Sequence, residues 1–306
     1  LLYRLFRSFF FGNYFYGLCA AALSVESCLQ QSAALNSVAY YIVVFAATVL
    51  YYTYAYLDDT NPNADNERSR WYERNRQLVL YSQILLTAVF VVSMIVFIVE
   101  QPLHLFQFSF YYWCILLVFP LTAVLYYGVQ MPWMSQYNLR DTGWLKPFFI
   151  GFVWAGAVSV YPVLFSDLAK GEIYYLGLFK ILLFVKNFMF ITVLCIMFDI
   201  KDYANDHNSE LKTFVVHLGL RKTIFYILLP LCVIGLGVFL SYALVNHFSL
   251  LRIILNTIPF ILLIFVAYSM YQRKSILYYL AVIDGLMLVK AICGSLGVIL
   301  GSILRN

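Results

Sequence analysis

The chain alternates long apolar runs with shorter polar stretches. Nine runs can be marked, at approximately 9–29, 35–57, 77–99, 106–128, 147–166, 176–198, 223–245, 252–270 and 276–300. Each is long enough to cross about 30 Å of hydrocarbon as a helix. The pattern therefore predicts an all-α, polytopic membrane protein with nine transmembrane helices in a single domain, residues 1–306. Prolines 120, 162, 230 and 259 fall inside runs. They would break soluble helices, but in a membrane bundle neighbouring groups satisfy the freed carbonyls and the prolines become kinks. No cleavable signal peptide is read, because the first run continues past Phe9 to about Leu29 without a small-residue cleavage site.

Composition excludes a soluble domain of this size, since 63% of the 306 residues are hydrophobic and 11% are charged. The formal charge of +5 follows from topology and does not call for nucleic acid as a partner. With the N-terminus in the cytoplasm, fourteen of the 20 Lys and Arg residues fall on that side. Lys170, Arg252 and Arg305 fall outside, and Lys180, Lys186 and Lys290 lie within runs. That bias favours nine spans with the C-terminus outside. Cysteines 19, 28, 114, 195, 232 and 293 show no C-x-x-C spacing, so neither a zinc site nor a disulfide framework is indicated and they read as helix-packing residues.

Two cytoplasmic loops, 58–76 and 199–222, hold nine of the chain's 15 Asp and Glu residues. The second opens with Asp199-Ile-Lys-Asp202-Tyr-Ala-Asn-Asp206, directly after an apolar run. If the helix continues, these carboxylates are spaced i, i+3, i+7 and share a face. Three like charges there repel one another, and a hard divalent cation offsets that repulsion, which makes Mg²⁺ the natural occupant. The alternative is a solvated acidic loop. In the first loop Asp58 and Asp65 are candidate metal ligands, and Asn61-Pro62 reads as the start of a short helix that puts Asp65 and Arg68 on one face. The same loops carry eight basic residues, which suits a metal-bound diphosphate better than a simple cation; ordinary salt-bridged loops are the alternative. Tyr51, Tyr54 and Asp58 form a further i, i+3, i+7 set, either a tyrosine-lined face leading to the carboxylates, with Tyr54 in the substrate pocket, or an interfacial aromatic belt.

Acid-rich loops after the second and sixth of nine spans resemble the UbiA superfamily of intramembrane prenyltransferases. The match is closest over the second loop, where Asp199, Asp202 and Asp206 resemble the family's D-x-x-D-x-x-x-D. Thr213 through Leu218-Gly219 resemble its downstream T-x-x-x-x-L-G. Leu145-Lys146-Pro147 is similar to the basic residue at the family's fifth helix, and Asn66-Glu67-Arg68 to part of its first-loop N-P-x-R. The first motif departs from the family's Asn-Asp opening; depending on register, the asparagine position falls on Tyr54 or Leu50.

The resemblance implies a UbiA-type bundle in a bacterial inner (plasma) membrane. It also implies a Mg²⁺-dependent reaction in which an isoprenoid diphosphate enters from the membrane lipid and is held between the loops. Asp199, Asp202 and Asp206 would be catalytic, with Asp58 and Asp65 completing the metal set, and Arg68, Lys146 and Lys212 would bind diphosphate. An aromatic or quinone-precursor acceptor would take the prenyl group. A membrane terpene cyclase is the near alternative because of the altered first motif, and a transporter or non-catalytic membrane protein is the alternative from another class.

Ionisable groups within apolar runs face a cavity, pair together or snorkel. Lys180 lies near a span end and is expected to snorkel. Lys186 sits roughly 20 Å below Asp199 at helical rise, and is expected either to pair with Asp284 or, with Asn187, to line a substrate pocket. Gly294, Gly297 and Gly301 form a stripe expected to pack helices closely. The four histidines offer no metal-binding pair on one helix, and no Walker or Rossmann signature occurs.

Overall fold

The computed structural model describes residues 2–57, 67–100, 110–127, 143–208, 213–272 and 274–303. It is 87% helical, with no strand among the described residues. In chain order the helices are α1 (Leu2–Phe11), α2 (Tyr14–Gln30), α3 (Val38–Leu57), α4 (Glu67–Arg74), α5 (Arg76–Glu100) and α6 (Phe110–Tyr127). There follow α7 (Lys146–Ala169), α8 (Leu178–Asn208), α9 (Phe214–Leu218), α10 (Leu220–Val245), α11 (Leu250–Ser269) and α12 (Ile276–Ile303). The chain is a multi-pass helical membrane protein. Among the described residues, six helices are long and apolar enough to cross a membrane, or seven if the bent pair of α1 and α2 forms one span. Val38–Tyr54 and Phe110–Leu125 are shorter apolar helices. Six of the nine expected runs fall on these helices; the first is broken by the 64° bend, and in two others the described apolar stretches are Val38–Tyr54 and Phe110–Leu125.

Helices α2, α12, α11, α10, α8 and α7 pack in that cyclic order, with α3 against α2, α5 against α3 and α6 against α7. Helix α8 contributes Phe190, Val193, Ile196 and Met197, all fully buried, to the main core shared with α2, α10, α11 and α12. Two of the four interior prolines have an evident accommodation. Pro162 follows a π-helical segment at Gly156–Val160, and Pro230 follows one at Thr223–Leu228. The wider turn gives the proline ring room at the carbonyl four residues back, where an α-helix would clash. A third π-helical segment, Tyr279–Ile283, precedes Asp284, whose N–H bonds to the Tyr279 carbonyl at 3.1 Å.

The bundle is tied together in its interior by an ion triad. Lys290 Nζ lies 2.7 Å from Glu26 Oε2 and Lys186 Nζ lies 3.6 Å from Glu26 Oε1, joining α12, α8 and α2. Lys186 also reaches Asn256 Oδ1 at 3.4 Å, and Gln30 donates to the same oxygen at 2.9 Å. Arg252 donates to Gln30 Oε1 at 2.7 Å and stacks over Phe248. The glycine stripe makes room for this network. A Cβ at Gly294 would fall 2.5 Å from Glu26 Oε1, and one at Gly297 would fall 3.1 Å from Asn256 Nδ2. The stripe thus packs helices closely, as its spacing predicts.

Two expectations about intramembrane charge need correction. Lys186 pairs with Glu26, not Asp284: Glu26 Oε1 lies 3.6 Å from Lys186 Nζ, whereas Asp284 lies beside Tyr16 of α2, more than a turn from Lys290 along α12. Lys180 does not simply snorkel: it pairs with Asp167 at 2.9 Å and covers the Tyr174 ring.

Removing one member of a buried ion cluster leaves the others uncompensated. Glu26→Gln is expected to destabilise the detergent-solubilised bundle by about 3–5 kcal/mol, while replacing Glu26, Lys186 and Lys290 together by methionine recovers most of that loss. Chemical unfolding monitored by circular dichroism tests both; equal stability of Glu26→Gln and wild type would contradict a supporting role for the triad.

Candidate functional site

Helix α8 continues through the acidic motif as far as Asn208. Positions 199, 202 and 206 therefore share a helical face by register, which was conditional in the sequence and is now a property of the backbone. Asp199 is 1% exposed, and its Oδ1 lies 3.2 Å from Lys146 Nζ at the start of α7. These two residues, 53 positions apart, were assigned to one site from sequence, and the fold brings them together. Asp202 is part-exposed and 3.0 Å from the neighbouring Lys201. The side chain of Asp206, and all of Asp58, Asp65 and Lys212, lie outside the described residues.

Downstream, the Thr213 hydroxyl caps α9 by accepting from Val216 N–H at 3.4 Å. Gly219 adopts φ 79°, a left-handed conformation that lets the chain turn sharply into α10. The T-x-x-x-x-L-G stretch is thus a one-turn helix with a cap at each end, holding the second loop against α8.

A second buried carboxylate, which the sequence-based site set omitted, stands near the first. Asp284 is 3% exposed and lies beside Tyr16, within electrostatic reach of Arg68 and Lys201. Cys195 on α8 lies within electrostatic reach of Asp199, Asp284 and Lys146 together. Two carboxylates and three cations from four helices therefore form a polar floor at one end of the bundle. The available signal was an acidic residue inside the last apolar run.

Arg68 belongs to this region in an unexpected way. It is 5% exposed, donates to the Phe11 carbonyl at 3.0 and 3.2 Å and to Asn13 Oδ1, and lies over the Tyr56 ring. Tyr72 donates to the same carbonyl at 2.9 Å, and Asn13, at φ 65°, donates to Thr53 Oγ1 and Tyr72 Oη. The carbonyl left open where α1 ends is thus closed by α4, which fixes the bend into α2. Burial works against the charged guanidinium, but Tyr56, Tyr72, Tyr16 and Asp284 outweigh it and hold the Arg68 pKa above its usual value. Burial also raises the Tyr72 phenol, with Arg68 opposing.

Below the floor, an apolar cavity of about 400 Å³ lies between α2, α3, α6 and α7. Tyr51, Tyr52, Phe119, Trp154 and Tyr161 line it. Tyr52 stacks on Tyr16 with ring centroids 4.8 Å apart and accepts a 2.5 Å hydrogen bond from Trp154 Nε1. The assigned pocket residues lie elsewhere. Tyr54 is 64% exposed, because it sits about 200° around α3 from Tyr52 and outside the buried face formed by Ala46, Val49 and Thr53. Lys186 belongs to the ion triad, and Asn187 donates to Ser159 Oγ at 2.6 Å behind the cavity wall.

No family model, characterised protein or solved structure matches the chain. The chemistry must therefore be judged on the chain's own donors. Among the described residues no three His, Cys, Asp or Glu side chains converge as a metal site. Asp199 and Asp202 nonetheless supply hard oxygen donors on one helix face, the type Mg²⁺ takes, and further ligands would come from segments outside the described residues.

The bend has its own test. Arg68→Gln is expected to cost about 3 kcal/mol, the scale of losing charge-assisted bonds to a buried carbonyl, and to do so without any substrate present. Thermal unfolding of the substrate-free protein measures it; an unchanged midpoint would free Arg68 from the structural task described above.

Proposed function

We propose that the chain is a Mg²⁺-dependent intramembrane prenyltransferase of the UbiA type, moving an isoprenoid group from its diphosphate to an aromatic or quinone-precursor acceptor. One observation carries the reading: a D-x-x-D-x-x-x-D series on an unbroken helix whose first aspartate is buried against a lysine from another span. The six long helices, the bent pair and the two shorter apolar helices are consistent with the nine spans of this reading. The Arg- and Lys-rich end would face the cytoplasm of a bacterial cell.

Lys146 would present its ammonium to the leaving diphosphate, with Asp199 fixing its position. Asp199 and Asp202, with Asp206 by register and Asp58 and Asp65 from the first loop, would hold Mg²⁺, which supplies stabilisation of charge building on the diphosphate. Lys212 would add a second cation. The apolar cavity beneath would take the isoprenoid chain and exclude water, and the faces of Tyr52 and Trp154 would attract an allylic cation. A membrane terpene cyclase remains the second reading, favoured by the first loop's missing Asn-Asp opening and by the aromatic cavity.

Purified protein with Mg²⁺ and isoprenoid diphosphates of several lengths, with and without aromatic acceptors, is expected to yield an acceptor-dependent prenylated product detected by mass. Acceptor-free hydrocarbon would favour the cyclase. Absence of diphosphate release under every condition would leave the transporter or non-catalytic alternative. Excess chelator is expected to abolish turnover, and Asp199→Asn or Asp202→Asn to lower it by on the order of 10² to 10³; less than threefold for both would mark a solvated helix end.

Orientation is separately testable. With Lys222→Cys and Lys170→Cys in intact cells, an impermeant thiol reagent is expected to reach position 170 only. Labelling of 222 instead would invert the topology and remove the cytoplasmic diphosphate site.

A further inference from the structure

Helices α1 and α4 enclose a cleft of about 840 Å³ that the proposed reaction does not use. Arg4 and Arg7 line it from α1, Arg70 and Arg74 from α4, and Glu67 is the only lining carboxylate among the described residues. Glu67 is taken by Arg7, at 2.9 Å. Arg7 Nε is buried with no acceptor among the described residues, and its guanidinium lies 4.9 Å from the Phe11 ring centroid. Keeping basic residues on one side of a membrane requires only that they be solvated. Here four arginines from segments some sixty residues apart in sequence line one cleft with a single carboxylate among its described lining, so its positive potential favours an anion.

The surroundings indicate what kind of anion. Leu78, 59% exposed at the start of α5, closes one side of the cleft, and only 11% of the apolar window of α5 is buried, so this helix presents its flank to lipid. On α1, Leu5, Phe6 and Phe9 are exposed at 60%, 45% and 37%. The 64° bend carries α1 off the axis of α2. An amphipathic helix with arginines on one side and Leu and Phe on the other lies in the interface between headgroups and acyl chains. A soluble phosphate would need the basic half of this surface only. The continuous step from arginines to the bare flank of α5 matches a headgroup joined to acyl chains.

We propose that the cleft between α1 and α4 binds the phosphate headgroup of an anionic phospholipid from the surrounding bilayer, with the acyl chains lying along α5. Arg70 and Arg74, four residues apart on one helix face, oppose Arg4 and Arg7, three apart on the other, so the phosphate is gripped from two sides. Each arginine near the headgroup contributes roughly a five-fold gain in affinity.

Native mass spectrometry of the full chain in detergent, with phosphatidic acid, phosphatidylglycerol or phosphatidylcholine added at equal concentration, tests the proposal. The two anionic lipids are expected to be retained at least about ten-fold more strongly than phosphatidylcholine. The triple variant Arg4→Gln, Arg70→Gln, Arg74→Gln is expected to lose about 100-fold in anionic-lipid affinity. These three positions are exposed, so its unfolding midpoint should match wild type. The control Arg221→Gln, Lys222→Gln, at the same end of the bundle but outside the cleft, should bind as wild type does. Equal retention of all three lipids, or equal loss in the control, overturns the proposal. So does tighter binding of an isoprenoid diphosphate or inorganic diphosphate that depends on the same three arginines, since the cleft would then be a diphosphate site. A failure of prenyl transfer would leave the lipid result standing, because the two experiments read different residues.

Discussion

Glu26 is a carboxylate with no exposed surface inside a membrane bundle, and two lysines from other helices converge on it. Water is not available there to solvate any of the three, so each charge depends on the others and on the amides of Gln30 and Asn256. This requirement fixes more than local geometry. It sets the rotation of α2, α8 and α12 about their axes, because a turn of one residue would carry a buried charge about 100° away from its partners. It also explains why α12 carries glycine where it meets α2 and α11: a side chain at 294 would occupy the space of the carboxylate. With α8 held in this rotation, Asp199, more than three helical turns further along, emerges on the side that faces Lys146 of α7.

The helical class and the approximate position of every apolar element were legible in the sequence, because burial in lipid demands long apolar runs that need no three-dimensional context to recognise. The positions of the breaks were less so. The bend at Gly12–Asn13 falls inside what looks like one apolar run, and it is stabilised by Arg68 and Tyr72 more than fifty residues away. Likewise, the sequence flagged Pro162 and Pro230 as irregular points, but not the π-helical turns before them, which depend on how the freed carbonyls find space between neighbours.

For the candidate site, spacing along one helix was readable and placement between helices was not. Asp199, Asp202 and Asp206 share a face because α8 is continuous, a local property. Tyr54 was drawn into the pocket by its i+3 relation to Tyr51, yet that relation fixes only which residues share a stripe, and α3 turns its Tyr52 stripe toward Trp154. Lys186 was assigned a pocket or Asp284 because Glu26, inside the first apolar run, was not counted among the intramembrane charges. An intramembrane carboxylate and an intramembrane lysine are each incomplete alone, and counting both sets at once would have pointed to the triad.

The fate of Arg68 bears on the altered first loop. In the resemblance, the first-loop arginine contacts diphosphate, but here its guanidinium is directed inward at the Phe11 carbonyl and Asn13. A group committed to closing a helix end cannot swing to a substrate without reopening the bend between α1 and α2. If prenyl transfer is the activity, cationic contact with the diphosphate then falls to Lys146 and the second loop. The absence of an Asn-Asp opening and the inward turn of Arg68 are consistent with each other on this view: a loop without those substrate contacts could use its arginine to hold the fold. The asymmetry between the loops thus has a structural counterpart, and Asp199 with Lys146 becomes the pair on which the proposed chemistry depends.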